Sequence, residues 1–155
     1  MDKIIFEQLA RELLPGLYRL AMSILRSSAD SEDAVMHALE NAWAARDKIR
    51  VGSEKSYIAK IVINECRNIQ RMRQRMRPAD EIVESAYTPE NGDLKSAIDA
   101  LDGALRIPFL LKYMEGYSEK EVAKTLGITV ANVKSRLLRA RRKLKEELTE
   151  EDELE

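Results

Sequence analysis

Residues 118–145 constrain the fold more than any other segment, because their helix signals come in a fixed order. Ser118 and Glu121 have the spacing of a capping box, which opens a helix. Gly127 follows, and glycine permits the left-handed backbone that a tight turn requires. Thr129 then provides a cap for a second helix. This order predicts two helices joined by a sharp turn at Gly127.

The apolar residues of this segment indicate how the two helices pack. Val122, Ala123 and Leu126 would face inward from the first helix, and Ile128 would lie beneath the turn. The second helix would bury a stripe at helical spacing: Val133, Leu137, Ala140 and Leu144. Ala123 is small enough for the two helices to cross closely, and the β-branched Val133 anchors the second helix in the core. The spacing of Ala123, Gly127 and Val133 is that of a helix-turn-helix.

The outer face of the second helix is fixed once its inner stripe is assigned. Opposite that stripe lie Ser135, Leu138, Arg139 and Arg142. This face predicts entry into a DNA major groove, where Arg139 would bind guanine and Leu138 a thymine methyl. Three flanking cations are placed for backbone phosphates: Lys134, Arg136 and Lys143. A helical hairpin with a solvated basic face is the alternative.

The net charge of −1 hides a strong segregation of charge along the chain. Residues 134–145 carry bases and no acid, and a second basic block comprises Arg67, Arg71, Arg73, Arg75 and Arg77. Such blocks suit phosphate neutralisation. Residues 146–155 are acidic and contain no base. We expect this end to be a disordered, solubilising segment, and the alternative is a DNA mimic that folds back on the basic helix.

The composition favours an all-α fold with two small helical domains joined by a linker. Aromatic residues make up only 5%, and good helix formers are abundant. The expected limits are a first domain over 1–77, a linker over 78–93, a second domain over 94–148 and an acidic tail over 149–155. Within the first domain, a helix is expected from about Asp30 to Asp47, and Pro15 is expected near a helix start or at a kink.

Single residues also carry expectations for the core and for helix ends. Trp43 is expected in the core, and Cys66 and Met72 are expected on the inner stripe of the helix that follows. Asp93 would cap the first helix of the second domain, and Pro108 would end or restart a helix there.

Other features exclude several classes of function. The single Cys66 and the single His37 make a zinc site very improbable, and no cofactor or small-molecule substrate is expected. The chain lacks a nucleophile–base set and a phosphate-binding glycine loop, so we do not expect an enzyme. It has neither a signal-peptide pattern nor an apolar run long enough to span a bilayer. A cytoplasmic protein is expected.

The two halves read together resemble extracytoplasmic-function sigma factors of bacterial RNA polymerase. Residues 101–145 resemble region 4 of that family, most closely in YMEGYSEKEVAKTLG and VKSRLLRARRKL. Residues 13–77 resemble region 2, most closely in ADSEDAVMHALENAW and SYIAKIVINECRNIQR. The resemblance covers most of the chain, and the order of the domains also fits. It implies a factor that directs promoter-specific transcription initiation as part of polymerase holoenzyme.

The resemblance also implies roles for individual residues. The minus-35 element would be bound by the recognition helix through Thr129, Asn132, Lys134, Ser135, Arg136, Leu138, Arg139 and Arg142. The minus-10 element would be bound by Lys48, Arg50, Tyr57, Lys60, Asn64, Arg67 and Arg71. The clamp of the polymerase largest subunit would be bound by Glu32, Asp33, Met36, His37 and Glu40. Many family members have Gln-Glu at Met36-His37 and Trp at Tyr57.

The partners implied are core RNA polymerase, through its clamp and flap, promoter DNA and an anti-sigma factor. Two other functions are compatible with the sequence. A stand-alone helix-turn-helix regulator would bind an operator without polymerase, although no dimerisation element is evident. A sigma-like protein that titrates polymerase is supported only by the departure at Met36-His37.

Overall fold

A computed structural model describes residues 1–76 and 94–154, with side chains through Thr149. Within these ranges the chain is helical and has no strand, which confirms the predicted all-α fold. Arg77, the expected linker at 78–93 and the expected helix cap at Asp93 lie outside the described residues. The contacts group most of the chain into two compact units, one built around residues 1–77 and one around the remainder. No helix of the described part is long and apolar enough to cross a membrane.

Three long helices account for most of the amino-terminal unit over residues 1–76. They are α1 (Lys3–Leu25), α2 (Ser28–Ala44) and α3 (Glu54–Met76), with a 3₁₀ turn at Arg46–Lys48. The Asp2 carboxylate accepts a hydrogen bond from the Ile5 amide at 2.9 Å and caps α1. Ser27 caps α2 through the Asp30 amide at 3.2 Å. Because Ser27 provides the cap, α2 begins before the predicted Asp30, and it ends at Ala44 rather than Asp47.

The core of this unit is formed where the apolar stripes of the three helices meet. Its members include Leu17, Leu20, Ala34, Val35, Ala38, Ile58, Val62, Ile63 and Cys66. Three alanines of α2 are buried, Ala34, Ala38 and Ala42, and they allow its neighbours to approach closely, while each buried large side chain contributes about 1.5–3 kcal/mol. Burial of this common stripe holds the helices together, so each presents only its opposite face to solvent.

Three details of this unit differ from the sequence-based expectations. Pro15 lies in the interior of α1, which continues through it as one helix rather than starting there. Met72 was expected on the inner stripe of α3 but is exposed, because Arg73 rather than Met72 faces the other helices in this turn. Trp43 was expected in the core and is half buried: its ring packs on Phe6 at 5.2 Å, and the Arg46 guanidinium covers it at 4.0 Å.

Arg73 ties the end of α1 to α2 and α3. Its Nη1 donates to the carbonyl of Leu25 at 3.0 Å, and its Nε donates to the Asp30 carboxylate at 3.1 Å. The amide of Gln70 donates to the carbonyl of Ile24 at 3.4 Å. The last carbonyls of a helix have no partner within that helix. Arg73 therefore serves the fold, although the sequence placed it in a basic block suited to phosphates.

The carboxyl-terminal unit contains shorter helices packed on one long helix. They are α4 (Leu94–Asp99), α5 (Gly103–Phe109), a π turn at Leu110–Met114, α6 (Glu119–Leu126) and α7 (Val130–Leu154). Pro108 was expected to end or restart a helix, but α5 continues through it into the π turn. Proline has no amide hydrogen, so the carbonyl of Ala104 lacks its usual helical donor. Arg136 of α7 donates to that carbonyl at 3.3 Å instead.

The acidic end of the chain is not the disordered segment that we expected. Helix α7 continues to Leu154, and the Thr149 hydroxyl donates to the carbonyl of Lys145 at 2.7 Å within it. A continuous helix places the acidic segment beyond the basic half along the same axis. This geometry does not support the alternative in which the acidic segment folds back on the basic face.

We predict that Arg73→Ala lowers the free energy of unfolding of the amino-terminal unit by about 1–2 kcal/mol, because it leaves a helix end and a carboxylate without donors. The matched control is Arg71→Ala, since Arg71 is exposed and, among the described residues, bonds only Asn68, at 3.4 Å; it should change stability by less than about 0.5 kcal/mol. Urea unfolding followed by fluorescence of Trp43, the only tryptophan, reports this unit. Equal effects of the two substitutions would contradict the role of Arg73.

Cys66 is buried in the core, as predicted, and its thiol should be unreactive in the folded protein. Burial, with a smaller contribution from Glu65, raises the pKa of Cys66 to about 12. Only the thiolate reacts readily with electrophiles. We expect a disulfide reagent at pH 8 to label the chain only after urea unfolds the amino-terminal unit. Labelling of the folded chain at the rate of a free thiol would show that this core opens easily.

Candidate nucleic-acid interface

The helix-turn-helix forms through the local contacts that the sequence predicts. The Ser118 amide donates to the Glu121 carboxylate at 3.0 Å, and the Glu121 amide donates to the Ser118 hydroxyl at 3.1 Å. Gly127 has a φ of +69°, which requires glycine or a strained residue. The Thr129 hydroxyl accepts from the Asn132 amide at 3.1 Å and caps α7. The capping box, the turn and the second cap are thus confirmed.

The inner stripe of α7 is also confirmed, and it determines which residues face outward. Val133, Leu137, Ala140 and Leu144 are all buried. Four exposed residues lie on the opposite side: Ser135, Leu138, Arg139 and Arg142. Leu138 is 42% exposed on this otherwise polar face. The face combines charged, polar and apolar side chains, the groups that read base edges in a major groove.

The cations near this face differ in their freedom to bind a phosphate. Arg139, Arg142 and Lys143 form no hydrogen bond or ion pair with any side chain that the structure describes. Lys134 lies 3.9 Å from the Glu119 carboxylate, an exposed pair that DNA could replace at little cost. Three arginine and lysine side chains without an acidic partner make this surface strongly attractive to an anion.

Arg136 is engaged within the protein, although the sequence placed it among the phosphate contacts. Its Nε donates to the Asn132 side-chain oxygen at 2.9 Å, and its Nη1 donates to the carbonyl of Ala104. Arg136 and Asn132 therefore bind each other within α7, and Arg136 also fixes α7 against α5. No sequence signal shows this directly, because it depends on Pro108 removing the helical donor of a carbonyl distant in sequence.

The candidate minus-10 residues of α3 share one exposed face. Tyr57, Lys60, Asn64, Arg67 and Arg71 recur at spacings of three and four residues, opposite the buried stripe. All are exposed except Tyr57, which is half buried. Successive positive side chains with an aromatic ring at one end suit a nucleic-acid strand with unstacked bases.

The loop before α3 is a turn closed by hydrogen bonds. The amide of Ser53 donates to the carbonyl of Arg50 at 3.0 Å, and Gly52 has a φ of +88°. Both carboxylate oxygens of Glu54 accept from the Gly52 amide, at 2.9 and 3.1 Å. The turn presents Val51, which is 98% exposed, beside the candidates Lys48 and Arg50. Val51 was not among the predicted site residues. The sequence marks its exposure only by placing an apolar residue directly before Gly52-Ser53.

The five candidate polymerase-binding residues lie together on the exposed face of α2. Glu32, Asp33, Met36, His37 and Glu40 all face solvent, while Ala34, Val35 and Ala38 are buried on the other side. Helix α2 contains no lysine or arginine. The face is therefore negatively charged around Met36, and a positively charged partner complements it.

The carboxyl-terminal unit also has an apolar groove that the sequence reading missed. Its volume is about 530 Å³, and its apolar walls are formed by Leu94, Ile98, Phe109, Tyr113, Met114, Leu144 and Leu148. At its rim, Arg141 donates to the Tyr113 hydroxyl. None of the four residues of the outward face of α7 lines this groove. A partner in the groove would leave the outward face of α7 accessible.

Two family models match this chain over most of its length. The model described as Sigma-70 region 2 matches residues 9–77, and the model described as Sigma-70, region 4 matches residues 91–144. The first covers α1 to α3, and the second covers the helix-turn-helix. Together they define a sigma subunit of bacterial RNA polymerase.

Individual relatives indicate which group of sigma factors the chain belongs to. The chain is 30% identical to the ECF RNA polymerase sigma factor SigM of Mycobacterium tuberculosis, over 92% of this chain and 76% of that one. It is 27% identical to the RNA polymerase sigma factor SigV of Bacillus subtilis, over 87% and 86% of the two chains. The sigma factor RpoE of Bartonella quintana, solved with the anti-sigma factor NepR, superposes with a TM-score of 0.73 at 28% identity, covering 93% and 96%. The chain belongs to the extracytoplasmic-function sigma factors, which direct promoter-specific initiation.

We predict that Gly127→Ala destabilises the carboxyl-terminal unit by about 1–2 kcal/mol, because alanine is strained at this φ. Gly103→Ala is the matched control: Gly103 also has open space around its Cβ position but has an ordinary φ. It should be neutral or stabilising by up to about 1 kcal/mol. Urea unfolding followed by far-ultraviolet circular dichroism distinguishes them. A neutral Gly127→Ala would mean that the turn does not need its left-handed residue.

Proposed function

We propose that this chain brings core RNA polymerase to promoters through three separate surfaces. The outward face of α7 binds the minus-35 element, the exposed face of α3 with its preceding turn binds the minus-10 element, and α2 binds polymerase. The observation that supports this most strongly is that Arg139, Arg142 and Lys143, beside Leu138 on α7, have no side-chain partner among the residues that the structure describes. In this proposal the chain performs no chemical step itself.

For the minus-35 element, the recognition face divides into reading and positioning residues. Ser135, Leu138, Arg139 and Arg142 contact base edges, with Arg139 donating two hydrogen bonds to guanine. Lys134 and Lys143 bind phosphates, and the amides at the Thr129 cap bind another. Asn132 and Arg136 keep α7 in position against α5, so they act on DNA binding through the orientation of the helix.

For the minus-10 element, the α3 face follows one DNA strand as the duplex opens. Extrusion of a base costs a few kcal/mol, which stacking and hydrogen bonding in the bound state must offset. Tyr57 offers an aromatic face and Asn64 offers both a donor and an acceptor. Lys48, Arg50, Lys60, Arg67 and Arg71 neutralise the phosphates of the same strand.

For polymerase, two surfaces are available on the two units. The acidic face of α2 suits the clamp of the largest subunit, as expected from the family. The apolar groove beside Tyr113 and Met114 suits the flap, because a contact there leaves the DNA-reading face accessible. We also infer that an anti-sigma factor holds the chain inactive, which the solved complex of the related RpoE with NepR supports.

The test is reconstituted transcription with sigma-free core polymerase on sheared genomic DNA, followed by sequencing of the RNA 5′ ends. We expect discrete start sites that share two upstream elements. Core binding without any start would favour a protein that titrates polymerase. Absence of core binding, with tight specific DNA binding by the free chain, would favour a stand-alone regulator.

We predict that Arg139→Ala and Lys134→Ala affect the resulting holoenzyme differently. Arg139→Ala should relax the preference at one base pair of the minus-35 element, at a cost of about 1–3 kcal/mol on the preferred base. Lys134→Ala should weaken binding equally on all sequences and lower the salt slope by about one. A promoter library randomised over the minus-35 element measures both effects. A uniform loss with Arg139→Ala would make Arg139 a phosphate contact.

A further inference from the structure

Helix α7 changes the sign of its charge along its length. Residues 134–145, its basic half, contain seven lysines and arginines and no acid, whereas residues 146–154, its acidic half, contain six acids and no base. The two halves lie end to end on one continuous helix, so a chain cannot bring its own acidic half onto its basic half. The acidic half of a second copy of the chain can reach that surface.

The basic half of α7 forms one wall of a cleft against α5. The cleft has a volume of about 440 Å³, and two acids line it, Asp102 of α5 and Glu146 of α7. Cations outnumber these acids, because α7 contributes four of them: Arg136, Arg139, Arg142 and Lys143. A concave surface with an excess of positive charge suits an anionic partner.

The charges at the boundary between the two halves are not used within the chain. Arg142 and Lys143 precede Glu146 and Glu147 by four residues, the spacing at which ion pairs form on a helix. Neither pair forms, and these four exposed side chains make no hydrogen bond or ion pair with any residue that the structure describes. Both signs of charge are therefore available to a partner at adjacent positions on one helix.

We propose that two copies of this chain associate through α7, with the acidic half of each helix against the basic half of the other. Two antiparallel helices related by a two-fold axis near Lys145 and Glu146 place opposite charges together along the whole contact. The contact is self-complementary, so two copies satisfy it and no larger assembly follows. The net charge of −1 per chain adds little repulsion between the copies.

The association would block the outward face of α7. Arg139 and Arg142 lie within the contact, so the associated chain cannot use them for DNA. This consequence rests on the proposed function, whereas the contact itself does not. Exposed ion pairs each contribute little and are screened by salt, so the association is weak and reversible. Promoter DNA, with its high density of phosphates, displaces the second copy.

The experiment is analytical ultracentrifugation of the full chain over a dilution series, without polymerase or DNA. It compares about 0.01 M and about 1 M salt, at which the Debye length is about 30 Å and about 3 Å. We expect dimers at the lower salt concentration and monomers at the higher one. A chain that stays monomeric at low salt, or a dimer that persists equally at high salt, would overturn the inference.

Reversal of charge on each half tests which surfaces meet. Glu146→Lys combined with Glu147→Lys, and Arg142→Glu combined with Lys143→Glu, should each raise the dissociation constant of the dimer about tenfold or more. An equimolar mixture of the two double variants should associate about as well as the unaltered chain, because each variant supplies the charge that the other lacks. Failure of the mixture to associate would contradict the proposed pairing.

The matched control is Glu7→Lys combined with Glu12→Lys, which makes the same change in net charge as the first double variant. Both residues are exposed on α1, so this control should dimerise like the unaltered chain. An equal loss of association in the control would overturn the inference, because the effect would not be specific to α7. Far-ultraviolet circular dichroism establishes that each variant keeps its helices.

These outcomes are separate from those of the proposed function. Loss of the dimer leaves promoter-specific initiation intact, because the unassociated chain has every surface that polymerase and DNA require. Failure to initiate with core polymerase would contradict the proposed function and leave the contact between two copies intact.

Discussion

In each unit, an arginine side chain donates to a backbone carbonyl that lacks a donor within its own helix, and this contact fixes one helix against another. Arg73 donates to the carbonyl of Leu25 at the end of α1 and to Asp30 of α2, so it fixes three helices at one point. Arg136 does the same for the Ala104 carbonyl, whose helical donor is missing because of Pro108. The Arg73 contact is partly buried and the Arg136 contact is exposed, so the first contributes more to stability than the second. Both contacts bear on the orientation of α3 and α7, the helices that carry the two candidate DNA-binding faces.

The same residue type therefore serves two purposes in the basic segments of this chain. Arg73 and Arg136 are partly buried and occupied by the protein, while Arg67, Arg71, Arg139 and Arg142 are exposed. Helical spacing separates the two groups: in α3 the structural arginine lies on the side of the core and the others on the opposite side. A sigma factor needs basic helices for DNA. In this arrangement the same helices contain arginines that stabilise the fold, and their solvent-exposed faces remain positively charged.

The sequence could predict those parts of the structure that depend on local signals. The helix-turn-helix follows from Ser118, Glu121, Gly127 and Thr129, each of which acts within a few residues, and its buried stripe follows from helical periodicity. The roles of Arg73 and Arg136 could not be predicted, because they depend on carbonyls 48 and 32 residues away. The apolar groove beside Tyr113 and Met114 was missed for a related reason, because it is formed by side chains from separate helices. The helical extension of α7 was missed because a run of acids was taken to indicate disorder.

The central claim is that α7 and α3 bind two different elements of one promoter, and only within holoenzyme. Photocrosslinking tests it most directly, with a photoreactive residue at Leu138 or at Lys60 on a promoter found by start-site mapping. We predict that Leu138 crosslinks upstream at the minus-35 element and Lys60 crosslinks at the minus-10 element, both only when core polymerase is present. Crosslinks from both positions to one DNA segment, or equally strong crosslinks without polymerase, would contradict the account.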